Sequence, residues 1–175
     1  NKTRFDDEIE LFYNTIEPQY YALLIGNEDY KDPEFGKLGE PVSDAYKLKN
    51  VLETQYNFND DKVIILKNAS RADILNAFAE FRQKITENDN VLIFFAGHGR
   101  WVEDMKMGFW IPIDAEGDNE SNWLSNSDIT TQIRALKSKH TLLISDACFS
   151  GSIFATRGGF NDDAGVAVLY DLPSR

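Results

Sequence analysis

Cysteine and histidine are scarce in these 175 residues: one of the first, Cys148, and two of the second, His98 and His140. A single thiol excludes an internal disulfide and any zinc site built from several cysteines, and it suits a reducing compartment. Nowhere do 18 apolar residues run together, so no ordinary membrane-spanning helix is expected. The N-terminus lacks the pattern of a secretory signal. Positive charge is also short: 18 Lys and Arg stand against 29 Asp and Glu, a net charge of −11. That balance argues against nucleic acid and anionic membrane as partners, allows a cationic one, and otherwise serves solubility. The expectation is a cytoplasmic protein. There is no repeat and no low-complexity tract. The first residue is Asn1 rather than Met, so the chain reads as a piece of something longer.

What is present fits one domain with an ordinary core, at 42% hydrophobic residues. Residues 1–19 are polar and acidic and read as a lead-in, with room for a short helix around 7–15. From residue 20 onward four apolar runs stand out: 20–26, 62–66, 90–97 and 141–146. Such near-continuous runs suit strands buried on both faces. Between them lie amphipathic stretches. Ser43 is expected to cap a helix carrying Ala45, Leu48, Val51 and Leu52. Ser70 is expected to cap another with Ile74, Leu75, Phe78, Phe81 and Ile85. Ser127 or Asp128 is expected to open a third with Ile129, Ile133 and Leu136. Trp101-Val102 and residues 108–113 flank a polar turn and predict a β-hairpin off the main sheet, with Trp101, Phe109 and Trp110 used for packing. Residues 115–126 read as a polar loop and 153–163 as a Gly-rich one. Residues 165–170 fit a strand or a short helix equally well. Alternating strands and helices predict parallel crossovers and a three-layer α/β/α sandwich, with the sheet unfinished on its C-terminal side.

The functional reading starts at Ser145-Asp146-Ala147-Cys148-Phe149-Ser150-Gly151. A strand ends in a turn that presents a thiol, and a thiol needs a base because the thiolate is the nucleophile. His98 follows the run 90–97 as Cys148 follows the run 141–146. In a parallel sheet those ends share one edge, where open α/β sheets bind ligands, and neighbouring strands are about 4.8 Å apart. His140 begins the strand that leads to Cys148, so it lies roughly 25 Å off at the opposite edge. His98 is therefore the candidate base. Ser150 and Ser152 read as turn residues, since no second base is on offer.

These residues resemble the caspase-like cysteine peptidases: caspases, metacaspases and bacterial orthocaspases. The blocks Phe95-Ala96-Gly97-His98-Gly99 and Asp146-Ala147-Cys148-Phe149-Ser150-Gly151 carry the likeness, supported by Tyr21 to Gly26 and Asp44-Ala45. His98 precedes Cys148 by 50 residues, the spacing of the caspase pair. Asp146 two before the cysteine and Ser150-Gly151 after it favour the metacaspase and bacterial branch. The resemblance implies a Cys148–His98 dyad and an oxyanion hole from the backbone N–H groups of Gly99 and Cys148. It also implies an acidic S1 pocket from Asp44 and Asp146. Two carboxylates favour Arg or Lys at P1, so the implied activity is cleavage of proteins or peptides after Arg or Lys. The catalytic domain would span 20–175 as a large-subunit portion, its partner the small-subunit part of the same precursor. Self-processing at Arg175, or at Arg157 in the Gly-rich loop, fits that specificity; a chain end at Arg has other origins too.

No cofactor is expected. Many metacaspases need calcium, which takes six to eight oxygens. Asp104, Asp114, Glu116 and Asp118 offer some, but residues 149–159 hold no carboxylate. The blander readings are a buried structural cysteine, an Asp44 that only complements a helix N-terminus and an Asp146 that bonds local amides. The rival function is a catalytically silent caspase-like module used in assembly or signalling.

Overall fold

The structure, a computed structural model, describes residues 17–147 and the backbone of residues 166–171. The expected helix around 7–15 and the Gly-rich stretch lie outside the described residues. In chain order the elements are β1 Tyr20–Gly26, α1 Pro41–Gln55, β2 Val63–Lys67, α2 Arg71–Lys84, β3 Asn90–Ala96, β4 Gly99–Val102, β5 Met107–Trp110, β6 Leu124–Ser125, α3 Asn126–Arg134, β7 His140–Asp146 and β8 Val166–Asp171. The central sheet runs β2-β1-β3-β7-β8. Its first four strands are parallel, and β8 closes the edge antiparallel to β7. The stretch that fitted strand or helix is thus a strand. Among the described residues no helix is long and apolar enough to cross a membrane.

Strand side chains alternate between faces, and the core divides accordingly. Leu23, Ile25, Val91, Ile93, Phe95 and Leu143 pack with Ile74, Phe78 and Phe81 of α2 and Ile129 and Ile133 of α3. Ala22, Leu24, Leu92, Phe94 and Ala96 pack with Ala45 and Leu52 of α1. The sheet is therefore the middle of three layers, as expected.

The helix starts need correction. Pro41, not Ser43, opens α1, with Glu40 as its N-cap. Proline suits the first helical position, where its missing N–H has no partner to lose. Val51 is 37% exposed: six residues from Ala45, it lies about a third of a turn off the line of Ala45 and Leu52. Ser125 rather than Ser127 or Asp128 caps α3. Its hydroxyl accepts the Asp128 N–H, and the Asp128 carboxylate accepts the Ser125 N–H. Ser70 caps α2 as expected, in the same reciprocal box with Asp73.

The hairpin forms as β4 and β5 and gains β6 as a third strand. Phe109 and Trp110 are buried, in line with packing. The Trp110 ring stacks flat on Phe95 at 4.3 Å, and its indole N–H donates to Ser145 Oγ. The small sheet is thereby seated across β3 and β7. Residues 115–126 are less polar in place than in sequence, because Ala115, Trp123 and Leu124 are buried.

Candidate active site

The C-terminal ends of β1, β3 and β7 meet at one edge. The register pairs Ala96 with Asp146, and the Gly97 N–H donates to the Asp146 carbonyl at 3.3 Å. His98 follows Ala96 by two residues, as Cys148 follows Asp146 in the sequence. Cys148 itself lies outside the described residues, as do Arg157 and Arg175. His140 pairs with Asn90 at the first position of the same strand pair, so it stands at the opposite end of the sheet.

His98 sits half-buried in an aromatic wall. The Tyr30 ring lies 4.7 Å from it and the Phe35 ring 6.2 Å. The His98 backbone N–H donates to the Tyr30 hydroxyl at 2.7 Å, and its carbonyl accepts the Ile111 N–H at 3.0 Å. Its Nε2 is buried and has no hydrogen-bond partner among the described residues. Burial pushes the Tyr30 phenol well above its ordinary range.

Gly99 pairs with Trp110 across β4 and β5. The bond from Ile111 N–H to His98 carbonyl brackets that pair, which makes it a non-hydrogen-bonded pair of the ladder. The Gly99 N–H accordingly turns away from β5, free to meet something other than the hairpin.

Asp44 stands in the first turn of α1, whose start packs on the end of β1. A Cβ on Gly26 would meet the Pro41 carbonyl oxygen at 2.5 Å, so only glycine allows this approach. Lys47 Nζ lies 2.9 Å from Asp44 Oδ1 and 3.4 Å from Glu40 Oε2, all well exposed. Asp146 is exposed at the end of β7. Both expected S1 carboxylates thus belong to elements that end or begin at the edge bearing His98. Of the four carboxylates that could offer oxygens to calcium, Asp114 accepts the Arg71 N–H and Glu116 the Asn119 side-chain amide. Among the described residues no group of three or more such ligands comes together.

Asn27, Tyr30, Phe35 and Arg100 escaped the sequence. Asn27, just past β1, is fully buried. Its backbone N–H donates to the Ala96 carbonyl, its side-chain oxygen accepts the Ala69 N–H at 2.7 Å, and its side-chain amide reaches the Ala69 carbonyl. It ties three loop starts together behind His98. Tyr30 and Phe35 form the wall. Arg100 holds that wall: its guanidinium lies over Phe35 and Trp123 at 5.3 and 5.2 Å, and donates to Glu34 and to the Gly117 carbonyl. Asp32 accepts the Glu34 and Gly117 N–H groups, which hold its carboxyl below the usual range. The legible signal was a polar residue just past an apolar run, true of Asn27 as of His98.

Comparison with known proteins identifies the family and the fold. A profile of the caspase domain matches residues 19–169, a stretch that includes both His98 and Cys148. The chain is 32% identical over 128 residues to human mucosa-associated lymphoid tissue lymphoma translocation protein 1, covering 73% of this chain and 15% of that protein. It is 26% identical over 171 residues to metacaspase-1 of Eremothecium gossypii, covering 86% of this chain and 37% of that one. The chain therefore spans well under half of either relative. A crystal structure of a Geobacter sulfurreducens protein shares the fold, with TM-score 0.62 and 22% identity over 78% of this chain and 53% of that one. The chain belongs to the caspase-domain family, a family of cysteine peptidases.

Proposed function

We propose that the protein is a cysteine endopeptidase that cleaves after Arg or Lys through a Cys148–His98 dyad. The observation that carries the reading is the β3–β7 register. With Ala96 beside Asp146, the histidine and the cysteine each stand two residues past paired strand ends. The buried Nε2 of His98, without a partner among the described residues, supports it, since a buried nitrogen without a partner is costly unless another group meets it.

In the reaction His98 takes the Cys148 proton. The thiolate attacks the P1 carbonyl carbon, a C–S bond forms, and the carbonyl electron pair moves onto oxygen. The N–H groups of Gly99 and Cys148 receive that oxyanion, each worth about 3 kcal/mol of barrier. As the C–N bond breaks, the imidazolium returns its proton to the leaving amine. Water, deprotonated by His98, then hydrolyses the thioester and restores the thiol. Asp44 and Asp146 form the S1 pocket, and the P1 cation displaces Lys47 from Asp44. The same specificity fits self-processing at Arg175 or Arg157, with the small-subunit part of the precursor as partner.

The test is a fluorogenic peptide panel with Arg, Lys, Asp or Ala at P1, with and without calcium, alongside Cys148→Ala and Asp44→Ala. Cutting after Arg or Lys that vanishes in Cys148→Ala, and weakens about 10-fold or more in Asp44→Ala as a charge-assisted contact is lost, is the expected result. Cutting after Asp would keep the peptidase and remove the pocket. Absence of cutting in every condition would overturn the reading.

A further inference from the structure

We propose that Tyr30 is a positioning residue for His98, holding both its main chain and its ring plane; this rests on His98 being the base of the dyad. Two independent contacts meet on one side chain. The hydroxyl oxygen accepts the His98 backbone N–H at 2.7 Å, and the phenol ring lies against the imidazole at 4.7 Å and 49°. A base that turns about its side-chain bonds loses its aim, and about 1 Å of misplacement can cost 10²-fold in rate. The hydrogen bond sets where the His98 backbone lies, and the ring contact limits how the imidazole turns. Phe35, 5.7 Å from Tyr30 and 6.2 Å from His98, stands beside Tyr30 in the same wall.

The neighbours are shaped around this contact. A Cβ on Gly97 would stand 2.7 Å from the Tyr30 hydroxyl, so the residue before His98 leaves room for that oxygen. The loop that carries Tyr30 is fastened where it rejoins the molecule: the Lys31 N–H donates to the Ile113 carbonyl, and the Arg100 guanidinium grips Glu34 beside Phe35. A tyrosine serving only as core filler needs neither the hydroxyl contact nor the glycine.

Tyr30→Phe keeps the ring and removes the acceptor. In the full chain it is expected to slow iodoacetamide alkylation of Cys148 at neutral pH about 10-fold and to lower kcat by a similar factor, with KM within about twofold. In a His98→Ala background the same change is expected to add nothing, because a residue acting through His98 has nothing left to position. Should Tyr30→Phe not fold, Gly97→Ala crowds the same oxygen from the other side and is expected to slow alkylation likewise. Wild-type alkylation in Tyr30→Phe, or further slowing on top of His98→Ala, would overturn the inference. If the wild type cuts no peptide yet alkylates in a manner dependent on both His98 and Tyr30, the inference stands and the peptidase reading falls.

Discussion

At the N-terminal end of the central sheet, Asp89 is 4% exposed and all its reach is used. One oxygen accepts the Gln19 N–H at 2.9 Å; the other accepts the Thr86 N–H and hydroxyl. Its backbone carbonyl takes the Lys139 N–H as well. At the C-terminal end, His98 keeps a buried Nε2 with no partner among the described residues. At the N-terminal end the Asp89 carboxylate and carbonyl tie the leads of β1 and β7 to β3 and hold the turn at Thr86. The other end keeps a titratable nitrogen in reserve inside an aromatic wall. Buried polar groups are normally satisfied, so the satisfied carboxylate reads as structure, and the imidazole is the group the proposed dyad would use.

The contrast breaks most sharply at the two histidines. His98→Ala is expected to lower kcat/KM for the best peptide by about 10²–10⁴-fold, the usual worth of a general acid–base. His140→Ala, at the opposite end, is expected to leave it unchanged; steady-state kinetics on both decide. A matching loss in His140→Ala would dissolve the distinction between the ends.

Asp89→Ala should show the reverse pattern. It strands the Gln19 and Thr86 donors, and an unsatisfied buried donor costs about 1–3 kcal/mol. The expected outcome is an unfolding free energy from urea titration lower by about 2 kcal/mol with kcat of the folded fraction intact. Lost activity without lost stability would place catalytic weight on the stitched end.

The smallest effect sharpens the comparison within the active edge. Asp73 is a satisfied carboxylate there: the Ser70 hydroxyl and N–H hold its carboxyl below the usual range. A lowered folded value stabilises the fold above the unfolded carboxyl's range, and that stabilisation is lost as pH falls through the folded value. Asp73→Ala is therefore expected to cost about 1 kcal/mol near neutrality and to match the wild type in strong acid. Urea titrations at the two pH values check this, with peptide cleavage expected to be unaffected.

Much of this was legible in the chain. Four apolar runs marked the four parallel strands within a residue or two, and the stripes of Ile74, Phe78 and Phe81 or Ile129 and Ile133 marked their helices. The spacing of His98 and Cys148 equals the register offset of β3 and β7, which is why a spacing could stand for a geometry. The Ser70 start of α2 was legible, but the starts of α1 and α3 were not, because Ser and Asp residues compete near each one; Pro41 and Ser125 win through their places after β1 and β6. Val51 was assigned to the buried stripe although its angle points elsewhere.

By itself the sequence determined what local pattern determines: apolar runs bury on both faces, alternation divides the core, and the residue just past a parallel strand arrives at the ligand edge. Only the tertiary structure decided the wall around His98. Tyr30 and Phe35 share one loop while Arg100 and Trp123 come from two other stretches, spanning 93 positions between the first and last. They meet because the small β4–β5–β6 sheet folds back over the strand ends. Contacts of that kind depend on loop closure across the fold and leave no period in the chain.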